Sequence, residues 1–137
     1  RRVLFRSTCF PDEYREALAY QKKHDCFLLT AERDVLGLDH AQVGQALAER
    51  WHFAPSIQAA VAHHHAPEEA TADSLAGVVH VADVMAHALD LCPREDELVP
   101  PLSAVAWNRL GIDWGCFKQM LATVEDQFED VCTALNI

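Results

Sequence analysis

The sequence predicts an all-α domain, and three observations support that prediction. Half of the 137 residues are hydrophobic and only five are glycine, a composition typical of helical proteins. Apolar residues recur three and four positions apart along several stretches, whereas the two-residue alternation of a strand is missing. A chain of this length can bury roughly two-thirds of the surface that it exposes when unfolded, which is enough for one domain with a core.

The first two helices are predicted from their end signals. One begins at Pro11, where proline and two following acids suit the positive end of a helix dipole, and it runs to about His24. A second apolar stretch covers residues 27–36 and stops at Gly37, a typical C-terminal cap.

The next two helices carry most of the histidines. Asp39 is the expected N-cap of a helix over residues 40–52. Pro55 begins another helix, which closes in the run of three histidines at residues 63–65. Five of the eight histidines therefore fall within 26 positions of the chain, between residues 40 and 65.

A strongly apolar helix is predicted from its N-cap Asp73 to about Leu91. It contains a lone acid, Asp83, and an unpaired carboxylate is costly when buried. The breadth of its apolar face predicts a central helix. The predicted buried face comprises Leu75, Val78, Val79, Ala82, Met85, Ala86 and Leu89.

The C-terminal part predicts a linker and two more helices. Pro93, Pro100 and Pro101 mark the linker, and helices are predicted over Leu102–Leu110 and Trp114–Leu135. The last of these repeats apolar residues every three or four positions, which is typical of a helix packed on a core.

Charge and cysteine content limit the function classes. A formal net charge of −10 leaves no basic stripe for nucleic acid or for a membrane surface, so we expect neither partner. The cysteines are odd in number and form no C-x-x-C pair, as expected of reduced thiols in a cytoplasmic protein. No apolar run approaches the roughly 20 residues of a membrane-spanning helix. The five cysteines are Cys9, Cys26, Cys92, Cys116 and Cys132.

Residues 1–7 read like the translation of a sequencing adapter, and we interpret them as an artefact. We therefore expect that the natural chain begins upstream and that its N-terminal part is missing here. Without Arg1, Arg2 and Arg6 the basic count falls from 11 to 8 against 21 acids, which gives a net charge of −13.

Several motifs in order resemble the HDOD domain, the HD-related output domain of bacterial signalling proteins. The resemblance covers about residues 11–91 and implies an HD-like helical bundle that is N-terminally truncated. We predict the C-terminal part of this domain at residues 8–92, with a linker and a helical tail packed on it at residues 93–137. The motifs are Gly37–Gly44 (GLDHAQVG), Leu47, Arg50–Trp51, Pro55, Val61–Pro67 (VAHHHAP) and Val79–Asp83 (VHVAD).

The resemblance also implies a partial metal site. HD-superfamily domains hold divalent metals between an upstream histidine, a His-Asp dyad, further histidines and a late aspartate. Of these positions His40, His64, His65 and Asp83 have counterparts in this sequence, whereas the upstream histidine and the dyad do not. We interpret His24-Asp25 as an exposed helix end and not as the dyad. The metal, whether Fe, Mn, Mg or Zn, and the catalytic residues are left open.

Each candidate ligand also has a structural interpretation. His40 fits a first-turn residue beside a cap, and His64 and His65 fit cations at a helix C-terminus. Asp83 fits a buried hydrogen-bond acceptor. For the neighbouring histidines we expect His63 to face solvent and His80 to pack in the core, with support of the ligands as its alternative role.

Two functions follow from these expectations. The first is a non-catalytic HDOD regulatory domain that transmits a signal through contacts with other signalling proteins. The second is a metal-dependent phosphohydrolase of the HD superfamily whose first ligands lie in the missing part. Ala66-Pro67 stands where the hydrolytic relatives carry an acid, which favours the first. We also expect that the shortened chain exposes apolar surface on the helix after Asp73 and tends to self-associate.

Overall fold

The computed structural model describes residues 11–71, 75–91 and 98–135, and the regular structure in these ranges is entirely α-helical. The predicted fold class is confirmed. The helices are α1 (Pro11–His24), α2 (Leu28–Leu36), α3 (His40–Arg50), α4 (Pro55–His63), α5 (Ala76–Ala88), α6 (Ala104–Leu110) and α7 (Trp114–Leu135). Helix α1 packs on α2, and each helix from α3 to α6 packs on the helices next to it in this series.

Helices α1 and α2 form a hairpin. The hydroxyl of Tyr20 donates a 2.9 Å hydrogen bond to Asp34 across the two helices. Gly37 closes α2 in the left-handed conformation, with φ of 73°, and its N–H bonds the carbonyl of Arg33. A glycine is suited to this position because a Cβ makes positive φ unfavourable.

The start of α3 agrees with its predicted cap. The Asp39 carboxylate accepts from the N–H of Gln42, and the Gln42 side chain accepts in return from the N–H of Asp39. This capping box satisfies donors that the first turn of a helix leaves without intrahelical partners. His40, the first residue of the helix, is thereby held at a defined position.

Two helices end earlier than predicted, α3 at Arg50 instead of residue 52 and α5 at Ala88 instead of about residue 91. At both ends a residue other than glycine adopts positive φ: His52 at 55° and Asp90 at 54°. The N–H of the next residue then bonds the carbonyl five positions earlier, from Phe53 to Ala48 and from Leu91 to Ala86. This is the Schellman arrangement, which here lacks the glycine that would announce it in a sequence.

The main apolar cluster lies where α5, α6 and α7 meet. Its buried members are Val81 and Met85 from α5, Ala106 from α6 and Phe117 from α7. Trp107 packs on it edge-to-face with Phe117, at a ring-centroid distance of 5.1 Å. The cluster confirms α5 as a core helix and places the first half of α7 against it.

The buried face of α5 differs in part from the prediction. Met85 is buried as expected, but Leu75, Val78 and Ala82 are exposed. The buried face instead lies toward α4 and α6. There His80 bonds the carbonyl of His64 at the end of α4 and the N–H of Ser103 at the start of α6. The buried members of this face are Ala76, His80, Val81, Val84 and Met85. The predicted cap Asp73 lies outside the described residues.

Helix α6 begins two residues later than predicted because Ser103 caps it: the Ser103 hydroxyl accepts from the N–H of Ala106. Helix α7 has the predicted bounds. Across the described ranges, none of the helices combines the length and the apolar character needed to cross a bilayer.

Helices α3 and α4 approach closely at Gly44. A Cβ added at Gly44 would lie only 2.6 Å from Cγ1 of Val61, closer than two carbon atoms can pack. The absence of a side chain at position 44 therefore sets the spacing between the two helices that carry His40 and His64.

We expect Gly44→Ala to destabilise the protein by about 1–3 kcal/mol despite the better helix propensity of alanine, because Val61 must move. Gly77→Ala is the matched control, since its new Cβ would meet its nearest neighbour at 3.7 Å, an ordinary contact. Urea unfolding measures both variants. The double variant Gly44→Ala/Val61→Ala should lose less than the sum of the two single losses. Full additivity would contradict the proposed clash.

Candidate metal centre

Three imidazole rings meet between the start of α3 and the end of α4. The Nε2 atom of His40 lies 3.2 Å from Nε2 of His64 and 2.6 Å from Nε2 of His65. One nitrogen from each ring can be chosen so that all three lie within 4.8 Å of one another. The structure thus brings together three of the four predicted ligands.

His40 is oriented by a carboxylate from α2. The Nδ1 atom of His40 lies 2.8 Å from Oε2 of Glu32, and the backbone N–H of His40 donates to the same oxygen at 3.0 Å. The carboxylate accepts both bonds, so Nδ1 carries the proton. The lone pair of His40 Nε2 then points into the cluster.

His64 is oriented from behind in the same way, but by the backbone of its own helix. Its Nδ1 lies 2.9 Å from the carbonyl oxygen of Val61, and a carbonyl can only accept. Nδ1 therefore carries the proton and Nε2 is an acceptor. The side chain is almost fully buried, at 1% exposure.

The resulting protonation states have a direct consequence. If both rings are neutral, with protonated Nδ1 atoms, the Nε2 atoms of His40 and His64 face each other as acceptors across 3.2 Å. A proton shared between His40 and His65 would satisfy that pair but would leave His40 and His64 facing each other as acceptors. An added positive charge among the nitrogens, either a further proton or a metal cation, removes this repulsion.

The three imidazole nitrogens suit a divalent transition-metal ion such as Zn²⁺. Two nitrogens bound to one zinc ion at 2.0–2.1 Å lie about 3 Å apart in tetrahedral or octahedral geometry, close to the 2.6 and 3.2 Å separations found here. Imidazole nitrogen suits Zn, Fe, Cu and Ni, whereas Mg prefers carboxylate and water oxygens. These residues would supply three of the ligands.

His80 bonds the backbone of His64 without joining the cluster. Its Nδ1–H donates to the carbonyl oxygen of His64 at 2.8 Å, and its Nε2 accepts from the N–H of Ser103 at 2.9 Å. Both ring nitrogens are therefore used, and the ring joins α5 to the end of α4 and to the cap of α6. The ring is buried in the core, as expected. Its bond goes to the backbone of His64 and not to the imidazole, so support of the ligands stays a prediction.

Asp39, the residue before His40, caps α3 and pairs with Arg33 of α2. Arg33 Nε donates to the Asp39 carboxylate at 2.7 Å. Burial alone would raise the pKa of this carboxyl group, but the hydrogen bonds from Gln42 and Arg33 and the nearby positive charge outweigh burial, so the pKa is lowered. Asp39 therefore stays ionised as a helix cap.

Asp83 is not among the donor atoms that cluster in the described part of the chain. It lies half-buried on α5, where its backbone carbonyl accepts a 2.8 Å bond from Nδ1 of His87. Its assignment as a ligand stays a prediction. His63 lies 3.7 Å from Glu69 and is one-third exposed, while His24 and Asp25 are both exposed, as interpreted from the sequence.

Glu32 is the site residue that sequence reasoning missed. It is 1% exposed and lies beside buried Ala31 on the inner face of α2. The available signal is an acid within an apolar helical stripe, in phase with Leu28 and Val35. A buried acid at such a position needs a partner, and His40 is that partner.

The family model of the HDOD domain matches residues 3–67. This part of the chain, just under half of its length, is similar to the HDOD domain. The resemblance found in the sequence is thereby confirmed, although the match ends at Pro67 and does not reach Asp83. It supports a signalling-associated, HD-related domain. The predicted domain boundaries stay predictions, and no curated protein and no solved structure matches the chain.

We expect His80→Ala to destabilise the protein by about 2–4 kcal/mol, because the carbonyl of His64 and the N–H of Ser103 each lose a buried hydrogen bond. Chemical denaturation followed by circular dichroism measures the loss. His63→Ala, in the exposed part of the histidine run, should change stability by no more than about 0.5 kcal/mol. Equal losses for the two variants would argue against His80 as a link between helices.

Proposed function

We propose that this chain is an HDOD regulatory module that transmits a signal through contacts with other signalling proteins and does not hydrolyse a phosphodiester. In this proposal the histidine cluster binds one divalent cation, which holds α3 and α4 together. The cation supplies positive charge among the three nitrogens and has a structural role.

Burial of the cluster is the observation that carries this proposal. The His64 side chain is 1% exposed and that of His40 is 12% exposed. A hydrolytic metal centre needs an open coordination position that a phosphodiester can reach, whereas a structural centre is closed. The full burial of His64 and the low exposure of His40 favour the closed kind.

Exposed aromatic and aliphatic side chains support the part of the proposal that concerns protein contacts. Trp51 is 61% exposed and lies 6.0 Å from the ring of Phe53, which is 44% exposed, and Ile57 follows on α4 at 43%. Tryptophan and other large aromatic residues are enriched where proteins bind each other. Trp51 is the C-cap of α3, Phe53 lies between the two helices and Ile57 lies on α4, so exposed apolar side chains occur beside and on the helices that carry the histidines.

The second candidate function is metal-dependent phosphodiester hydrolysis, and the histidine cluster itself is the observation that favours it. Three imidazoles leave at least one position of a tetrahedral ion for water or substrate. A bound metal would lower the pKa of a coordinated water and neutralise charge on the phosphoryl group. The two proposals differ in turnover, which can be measured.

We expect the purified chain, loaded with Zn²⁺ or with Fe²⁺ under anaerobic conditions, to retain about one metal per chain after gel filtration and to show no phosphodiesterase activity. Elemental analysis measures the metal, and cyclic dinucleotides and bis(p-nitrophenyl) phosphate serve as substrates. His64→Ala should lose the metal because it removes a buried ligand, whereas His63→Ala should retain it. Hydrolysis by the wild-type chain that disappears in His64→Ala would establish the second function instead.

A further inference from the structure

Glu32 is a buried carboxylate whose role the family resemblance does not supply. Its side chain is 1% exposed, so it has left bulk water almost completely. An ionised carboxylate is retained in such surroundings only when hydrogen bonds or an opposite charge stabilise it. His40 donates two hydrogen bonds to it.

The two bonds constrain His40 in complementary ways. The bond from the backbone N–H fixes the carboxylate against the first turn of α3, at 3.0 Å. The bond from Nδ1 fixes the rotation of the imidazole ring, at 2.8 Å. A single oxygen, Oε2, accepts both bonds, so the ring cannot rotate away without breaking a charge-assisted bond.

We propose that Glu32 is a positioning residue for the metal centre: it holds His40 as the tautomer with protonated Nδ1 and strengthens Nε2 as a ligand. The inference rests on the proposed metal centre described above. A carboxylate behind a metal-binding histidine orients the ring and makes the metal-binding nitrogen more basic. Here the carboxylate belongs to α2, so the hairpin of α1 and α2 contributes to a site whose ligands lie on α3 and α4.

Glu32→Gln is the variant that separates charge from shape. Glutamine keeps the size of the side chain and a carbonyl oxygen that accepts hydrogen bonds, but it removes the negative charge behind His40. We expect the affinity for Co²⁺ to fall by about 10–100-fold. Competition with a chromophoric chelator measures the affinity, and the visible absorption of bound Co²⁺ reports the ligand geometry.

Asp39→Asn is the matched control. Asp39 is also 1% exposed and is only one residue from His40, but its carboxylate contacts Arg33 and Gln42 and not the imidazole. Asparagine can still cap α3 and accept the bond from Arg33, so this variant should keep the start of α3 in place and lose only the charge. Its stability should fall while its Co²⁺ affinity stays within about threefold of the wild type. A general disturbance of the fold would lower the affinity of both variants.

A second readout is independent of metal. In the metal-free protein, the proton on His40 Nδ1 should give a strongly deshielded NMR signal because it is shared with a carboxylate. This signal should move upfield in Glu32→Gln and stay in place in Asp39→Asn.

The outcomes distinguish the two proposals. If the wild-type chain binds no Co²⁺, the metal centre itself is absent and the inference fails with it. If the wild type binds Co²⁺ and Glu32→Gln binds equally tightly with an unchanged spectrum, the centre stands and the role of Glu32 is refuted. A weakened affinity in Glu32→Gln alone, together with the shifted Nδ1 signal, supports the inference.

Discussion

The direction of two imidazole lone pairs is the constraint on which the histidine cluster depends. Glu32 and the carbonyl of Val61 each hold an Nδ1 proton, so in the neutral rings the Nε2 atoms of His40 and His64 face each other as acceptors. Such a pair repels unless a positive charge lies between its members. The other features of the site serve to hold these two rings in place.

Val61 connects the packing of the helices to the chemistry of the cluster. Its Cγ1 occupies the space that a side chain at position 44 would need, and its carbonyl fixes the ring of His64. A change in the distance between α3 and α4 therefore also moves the group that orients a ligand. Gly44, the last residue of the Gly37–Gly44 motif, is required because the two helices approach closely there. Its backbone conformation is that of an ordinary helical residue and does not itself require glycine.

The sequence predicted the features that have local causes. The helix starts at Pro11, at the Asp39 cap and at Pro55 follow from side chains that satisfy or replace the first N–H groups of a helix. The end of α2 follows from Gly37. The sequence predicted ends for α3 and α5 that lie too far toward the C-terminus. His52 and Asp90 adopt positive φ there, a conformation that residues other than glycine rarely adopt, so the sequence carries no signal for these ends.

Features with non-local causes were harder to predict. His40, His64 and His65 meet because two helices cross closely, and the family resemblance, not periodicity, indicated that meeting. Glu32 lies eight positions before His40, and nothing in the local pattern says which residue an acid on α2 contacts. The apolar side chains of α5 likewise could not show which face turns inward, since the polar bonds of His80 decide it.

Two polar pairs fix how α2 is aligned with the start of α3. Glu32 binds His40 and Arg33 binds Asp39, so two consecutive residues of one helix pair in reverse order with two consecutive residues at the start of the next. A slip by one residue would bring Glu32 toward Asp39, two buried carboxylates that repel strongly. Apolar packing tolerates small shifts, but this pairing does not. The hairpin of α1 and α2 is therefore held against the histidine-bearing helices in one register, the register that directs Nε2 of His40 into the cluster.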